Sequence, residues 1–90
     1  NYLQQNCPNP FNSVTEISYQ LLQASHVTLA IYDLLGRELR TLIDGEQTGG
    51  KHLVRWNGED ANGQPLASGI YICRLKAGSF VSSRKLLLVR

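Results

Sequence analysis

The sequence predicts an all-β, Ig-like antiparallel β-sandwich of about seven strands. Three observations lead there. Apolar and polar residues alternate with a period of two in one segment after another. Pairs of turn-forming residues punctuate those segments at short intervals. No stretch holds a helical period: Leu34 to Ile43 comes nearest, but Gly36 interrupts it and β-branched residues close it.

Along the chain, Ile17, Tyr19 and Leu21 alternate with Glu16, Ser18 and Gln20, as in a half-buried strand. Val27, Leu29 and Ile31 repeat the pattern. Leu34 to Gly36 reads as a turn leading into a further strand. His52, Val54 and Trp56 mark the next strand, and Tyr71, Cys73 and Leu75 the one after. The last run, Phe80 to Val89, is apolar at both parities from Leu86 onward, which predicts a strand covered on both faces at its end. Turns are expected at Asp44-Gly45, Gly49-Gly50, Asn57-Gly58, Asn62-Gly63, Ser68-Gly69 and Ala77-Gly78-Ser79. Asn and Gly there supply the positive φ that tight connections need.

Residues 1–13 differ in kind. Cys7-Pro8-Asn9-Pro10-Phe11-Asn12 has two prolines around one Asn, which enforces an extended or turn conformation. Phe11 then offers one large apolar anchor. This segment is expected to lie as a Pro-rich lead-in along an edge of the sandwich with Phe11 plugged into it, and residues 14–90 to form the sandwich. Prolines on an edge also discourage further strand pairing.

Composition bounds the function. Ninety residues fit one domain with a modest core. The net charge of +2 is spread along the chain, with no basic block to bind nucleic acid or an anionic membrane. No apolar run approaches the ~20 residues of a membrane span. The chain starts at Asn1 and has no Met, which suggests a piece of a longer precursor.

Catalysis finds little support. No nucleophile-elbow motif frames a serine, and Cys7, Cys73, His26 and His52 are too scattered for a metal or redox motif. The chain is therefore expected to be non-enzymatic, with no cofactor. Asp60-Ala61-Asn62-Gly63, with Glu59, resembles the start of a calcium loop, but the later ligands are missing and Asx-turn chemistry explains the same residues. Trp56 could form a sugar-stacking platform with the tyrosines, or be a core tryptophan; nothing else in the sequence supports a cleft.

Taken together, these residues resemble a known family. Asn6-Cys7-Pro8-Asn9-Pro10-Phe11-Asn12 is similar to the opening motif of type IX (Por) secretion C-terminal sorting domains. Further matches are Val27 to Asp33, Gly36-Arg37-Glu38-Leu39, Gly50 to Trp56, Asp60 to Gly63, Ala67-Ser68-Gly69-Ile70-Tyr71 and the terminal Lys85-Leu86-Leu87-Leu88-Val89-Arg90. The middle also resembles the Ig-like domain of flagellar hook-cap proteins. The likeness covers essentially the whole chain in order.

The resemblance implies a C-terminal sorting and anchoring module. It would direct an upstream cargo domain through the periplasm and the outer membrane to the cell surface or medium. Its partners would be the outer-membrane translocon and the surface-attachment machinery. Lys85, Leu86, Leu87, Leu88, Val89 and Arg90 would be the strand that is read, adding to a partner's sheet if it lies at an edge, or else an ordinary core strand. Gly69 and Tyr71 would shape the same surface, or be a strand-entry glycine and a core tyrosine. Pro8, Asn9, Pro10 and Phe11 would be contacted by the machinery, or simply dock the lead-in. The alternative is an accessory module of a secreted enzyme, either carbohydrate-binding or a spacer.

One departure stands out. Relatives often carry an aromatic where this chain has Cys7 and Cys73. Two cysteines and no others suggest a disulfide in an oxidising compartment, which would stabilise by roughly 4 kcal/mol in the chain-entropy model. Two separate small thiols are the other reading.

Overall fold

The computed structural model describes all 90 residues. It contains seven strands: β1 (Tyr2–Leu3), β2 (Thr15–Leu21), β3 (Ser25–Tyr32), β4 (Glu38–Gln47), β5 (Gly50–Trp56), β6 (Gly69–Ala77) and β7 (Phe80–Leu88). They form two antiparallel sheets, one in the order β1-β2-β5 and the other β4-β3-β6-β7. The all-β, Ig-like sandwich is what the alternation predicts.

The alternation sets which side chains meet between the sheets, because successive strand residues point to opposite faces. Ile17, Tyr19 and Leu21 of β2 are buried, as are Val27, Leu29 and Ile31 of β3 and Tyr71, Cys73 and Leu75 of β6. Each large apolar side chain so buried contributes about 1.5–3 kcal/mol. β3 and β6 are the central strands of their sheet and run in continuous register from Val27↔Ala77 to Tyr32↔Ile72. β3 against β4 is less regular, with register shifts at Leu29/Ala30 and Ile31/Tyr32.

Two local expectations are corrected. Asp44-Gly45 is not a turn: Gly45 lies inside β4 opposite Val27, and the chain reverses after Gln47. The ladder to β3 holds Gly45 in the strand, where its missing side chain is tolerated. The end of β7 is not covered on both faces either. Leu86 and Leu88 are buried, but Leu87 and Val89 are 37% and 48% exposed. The β1-β2-β5 sheet packs against one face of β7 only.

The lead-in is part of the sandwich. β1 falls within it and pairs with β2 through Tyr2↔Gln20 and Leu3↔Tyr19, with Leu3 buried. Cys7 bridges to Glu16 further along β2, and Phe11 then crosses to the other sheet, where it pairs in parallel with Leu88. Both X-Pro bonds of the segment, before Pro8 and Pro10, are cis.

Candidate functional site: the seam between the two termini

Phe11 is the anchor of this seam. It is 3% exposed and its ring lies 5.7 Å from that of Trp56. Trp56 is met edge-on by Tyr71 at 5.9 Å, and its indole N–H donates to the Glu59 carbonyl at 2.9 Å. The Tyr71 hydroxyl donates to the Ala67 carbonyl at 2.6 Å, tying the loop before β6 to the core. Burial raises the Tyr71 pKa, the Arg90 charge opposes that rise and Asp33 adds to it.

On this anchor the N-terminal segment runs along the outer edge of β7. In an edge strand, alternate residues aim their N–H and C=O away from the neighbouring strand. At the end of β7 those groups are already engaged. The Lys85 carbonyl accepts from the Gln5 side-chain amide at 2.6 Å. The Leu87 N–H donates to Asn9 Oδ1 at 2.9 Å, and the Leu87 carbonyl accepts from the Phe11 N–H at 3.0 Å. The Val89 N–H donates to the Phe11 carbonyl at 2.8 Å. The expected recognition strand is thus at a sheet edge, but from Lys85 to Val89 the chain's own N-terminal segment occupies that edge.

Arg90 closes the seam. Its N–H donates to Ser68 Oγ at 2.8 Å, Nε to the Leu66 carbonyl at 2.7 Å and Nη2 to the Gly58 carbonyl at 2.8 Å. Nη1 donates to the Asn12 carbonyl at 3.4 Å. The Arg90 side chain is therefore held between the β5–β6 loop and the N-terminal segment, although it remains exposed. Gly58 permits this approach, with φ of +73° and no Cβ in the way. Gly69 begins β6 opposite Leu88.

On the solvent face, Ile70 pairs with Leu87, and both are partly exposed. Val89 lines a shallow depression with Pro8, Pro10, Phe11 and Asn12. Of the anticipated residues, Lys85, Leu87, Val89, Arg90, Pro8, Asn9, Pro10, Phe11, Gly69 and Tyr71 gather around one end of the sandwich. Leu86 and Leu88 face into the core.

The two cysteines do not join. Cys7 is exposed beside Glu16, while Cys73 is fully buried in the middle of β6, and both are free thiols. The expected bridge is absent because Cys73 points between the sheets, whereas Cys7 lies on the outside. Burial pushes the Cys73 thiol up to about 12. The sugar-platform reading is corrected at Trp56, which is 1% exposed and covered by the tilted ring of Phe11 and the edge of Tyr71. His52 stacks on Tyr19 at 5.0 Å and sits within hydrogen-bond reach of the Thr48 carbonyl. In the anticipated calcium loop, Asp60 Oδ1 accepts from the N–H groups of Asn62 and Gln64 at 2.9 and 3.0 Å, an Asx turn.

Two contributors escaped sequence reasoning. Asn6 is 4% exposed, donating to Thr15 Oγ1 at 2.9 Å and the Pro8 carbonyl at 3.2 Å. Thr15 Oγ1 donates to the same carbonyl at 2.8 Å. This knot satisfies the buried polar groups that steer the lead-in toward β7. Its one sequence signal is the position of Asn6 at the head of the proline motif.

A family model for the FlgD Ig-like domain matches residues 9–79. The chain belongs to the FlgD Ig-like domain family. The match starts at Asn9 and ends in the β6–β7 hairpin. No curated protein matches the chain. Two solved structures share the FlgD Ig-like fold seen here. One is PorU from Porphyromonas gingivalis, described as dimeric and latent, with a TM-score of 0.76 and 19% identity. The other is PorZ of the same organism, described as an essential bacterial surface component of the type-IX secretion system, with a TM-score of 0.69 and 21% identity. The matches cover 97% and 98% of this chain, but only 9% and 11% of PorU and PorZ respectively.

Proposed function

We propose that this FlgD Ig-like domain is a non-enzymatic C-terminal sorting and anchoring module of type IX secretion. It carries a larger protein to the cell surface or medium and is read by the outer-membrane translocon. One observation carries the reading. The two motifs that resemble sorting domains, Asn6 to Asn12 and Lys85 to Arg90, lie at opposite ends of the sequence and are hydrogen-bonded into a single seam. The seam exposes Leu87 and Val89 beside Ile70 and the proline segment, an apolar surface suited to a protein partner. The fold shared with parts of PorZ and PorU is consistent with such a role.

The test fuses residues 1–90 to a periplasm-targeted fluorescent protein, in a host with an intact type IX system and in a matched translocon mutant. Deleting Lys85 to Arg90 would also remove the core residues Leu86 and Leu88, so the informative variant is Leu87→Glu with Val89→Glu, which alters only the exposed face. Surface or medium fluorescence in the intact strain alone, lost in the double variant, supports the proposal. Equal periplasmic retention in both strains refutes it.

A further inference from the structure

The outer edge of β7 is divided in two. From Lys85 O onward the N-terminal segment occupies it. Nearer the β6–β7 hairpin β1 comes close to it without pairing, and its outward backbone groups are left unpaired. By the same alternation, the N–H groups of Val81, Ser83 and Lys85 face away from β6. Nothing reaches these three, and of the carbonyls beside them only that of Ser83 is used before Lys85, by the Arg84 guanidinium at 3.2 Å. Such a row of unpaired backbone groups is a template for one more strand.

The charge on the two strands that form this stretch has one sign. Residues 61–90 contain no Asp or Glu, so β6 and β7 carry only cations. Arg74, Lys76 and Lys85 share the outer face of the sheet with Val81, and Arg84 lines the groove on the other side. None of the four cations is in an ion pair. Glu16 lines the same groove, but its carboxylate is engaged by Arg55 at 3.1 Å.

We propose that the unpaired half of the β7 edge, Val81 to Lys85, is a strand-addition site for an acidic, extended segment of a partner protein. Backbone hydrogen bonds would supply register, and carboxylates on alternate residues would meet the cations. The acidic β4 edge of a second copy is a poorer fit. β4 is broken by two register shifts, and its start is held by the loop after Trp56 through Ala61 N–H to the Leu39 carbonyl and Arg40 to the Asp60 carbonyl. The proposal does not rest on the export reading, since binding is measured on the chain alone.

The experiment titrates the isotope-labelled 90-residue chain with the peptide Thr-Glu-Val-Glu-Val-Glu, and with the same peptide carrying Lys for Glu, up to millimolar concentration. The acidic peptide is expected to slow hydrogen exchange of the Val81, Ser83 and Lys85 amides, and the basic peptide to leave them unchanged. Ser83→Pro removes one outward N–H without touching the β6 ladder, and is expected to weaken binding by roughly tenfold. Should that variant not fold, Lys76→Glu with Lys85→Glu is expected to shift preference to the basic peptide. Three results would overturn the proposal: no response at millimolar peptide, equal response to both peptides, or changes confined to β4 that grow with protein concentration.

Discussion

Arg90 Nη2 lies 2.8 Å from the Gly58 carbonyl oxygen, and a Cβ added to Gly58 would stand 2.7 Å from that same nitrogen. Gly58→Ala should therefore act twice. A φ of +73° costs an L-residue about 1–2 kcal/mol, and the guanidinium must also move off its carbonyl. The melting temperature is expected to fall by roughly 4 °C or more. In an Arg90→Ala background the same substitution should cost less, because only the backbone strain remains; a double-mutant cycle with no interaction term would contradict this.

Phe11→Ala should be the most damaging change in the lead-in, costing about 3–5 kcal/mol in denaturant unfolding. Phe11 is fully packed against Trp56, and its backbone carries two of the bonds to β7. Asn9→Ala removes a single acceptor at an exposed site and should cost about 0.5–1.5 kcal/mol. Both variants should speed hydrogen exchange at Leu87; protection unchanged in Phe11→Ala would mean the seam does not depend on its anchor.

Tyr71→Phe keeps the edge-on contact with Trp56 but deletes the donor to the Ala67 carbonyl. A loss of about 0.5–1.5 kcal/mol is expected, with faster exchange in the loop before Gly69. A variant as stable as the parent would show that water replaces the hydroxyl fully.

Asp33 accepts from the Arg37 N–H, from Arg37 Nε and from the Leu35 N–H, which together hold its carboxyl below the usual range. A depressed carboxylate contributes stability that is present above its unfolded pKa and lost as pH falls through the folded value. The turn between β3 and β4 should loosen on acidification below about pH 4. Asp33→Asn should abolish that pH dependence in an amide-shift titration of Leu35 and Arg37.

Cys7 should react with a thiol reagent in the native chain, whereas Cys73 should react only on unfolding. Burial pushes the Cys73 thiol from its ordinary 9.0 up to about 12, so the folded state is penalised as pH rises through that interval. A chain in which Cys7 resists labelling until reduced would restore the disulfide and overturn the arrangement described.

The period-two pattern carries enough information to specify the sandwich, because alternation alone assigns Ile17, Val27 and Leu75 to an inner face. The proline segment with its single aromatic likewise reveals an anchored lead-in, since Phe11 is the one large apolar side chain from Cys7 to Asn12. Tertiary structure alone decided the rest. Trp56 is interior because Phe11 and Tyr71 arrive from distant segments. Gly45 stays in a strand because β3 supplies its ladder. Cys7 and Cys73 stand apart because one faces outward and the other lies between the sheets. The latching of Leu87 and Val89 by Asn9 and Phe11, and the unpaired edge left at Val81 and Ser83, depend on backbone groups pairing between the two ends of the chain. Every non-proline residue carries those same groups, so no side-chain pattern can report which of them meet.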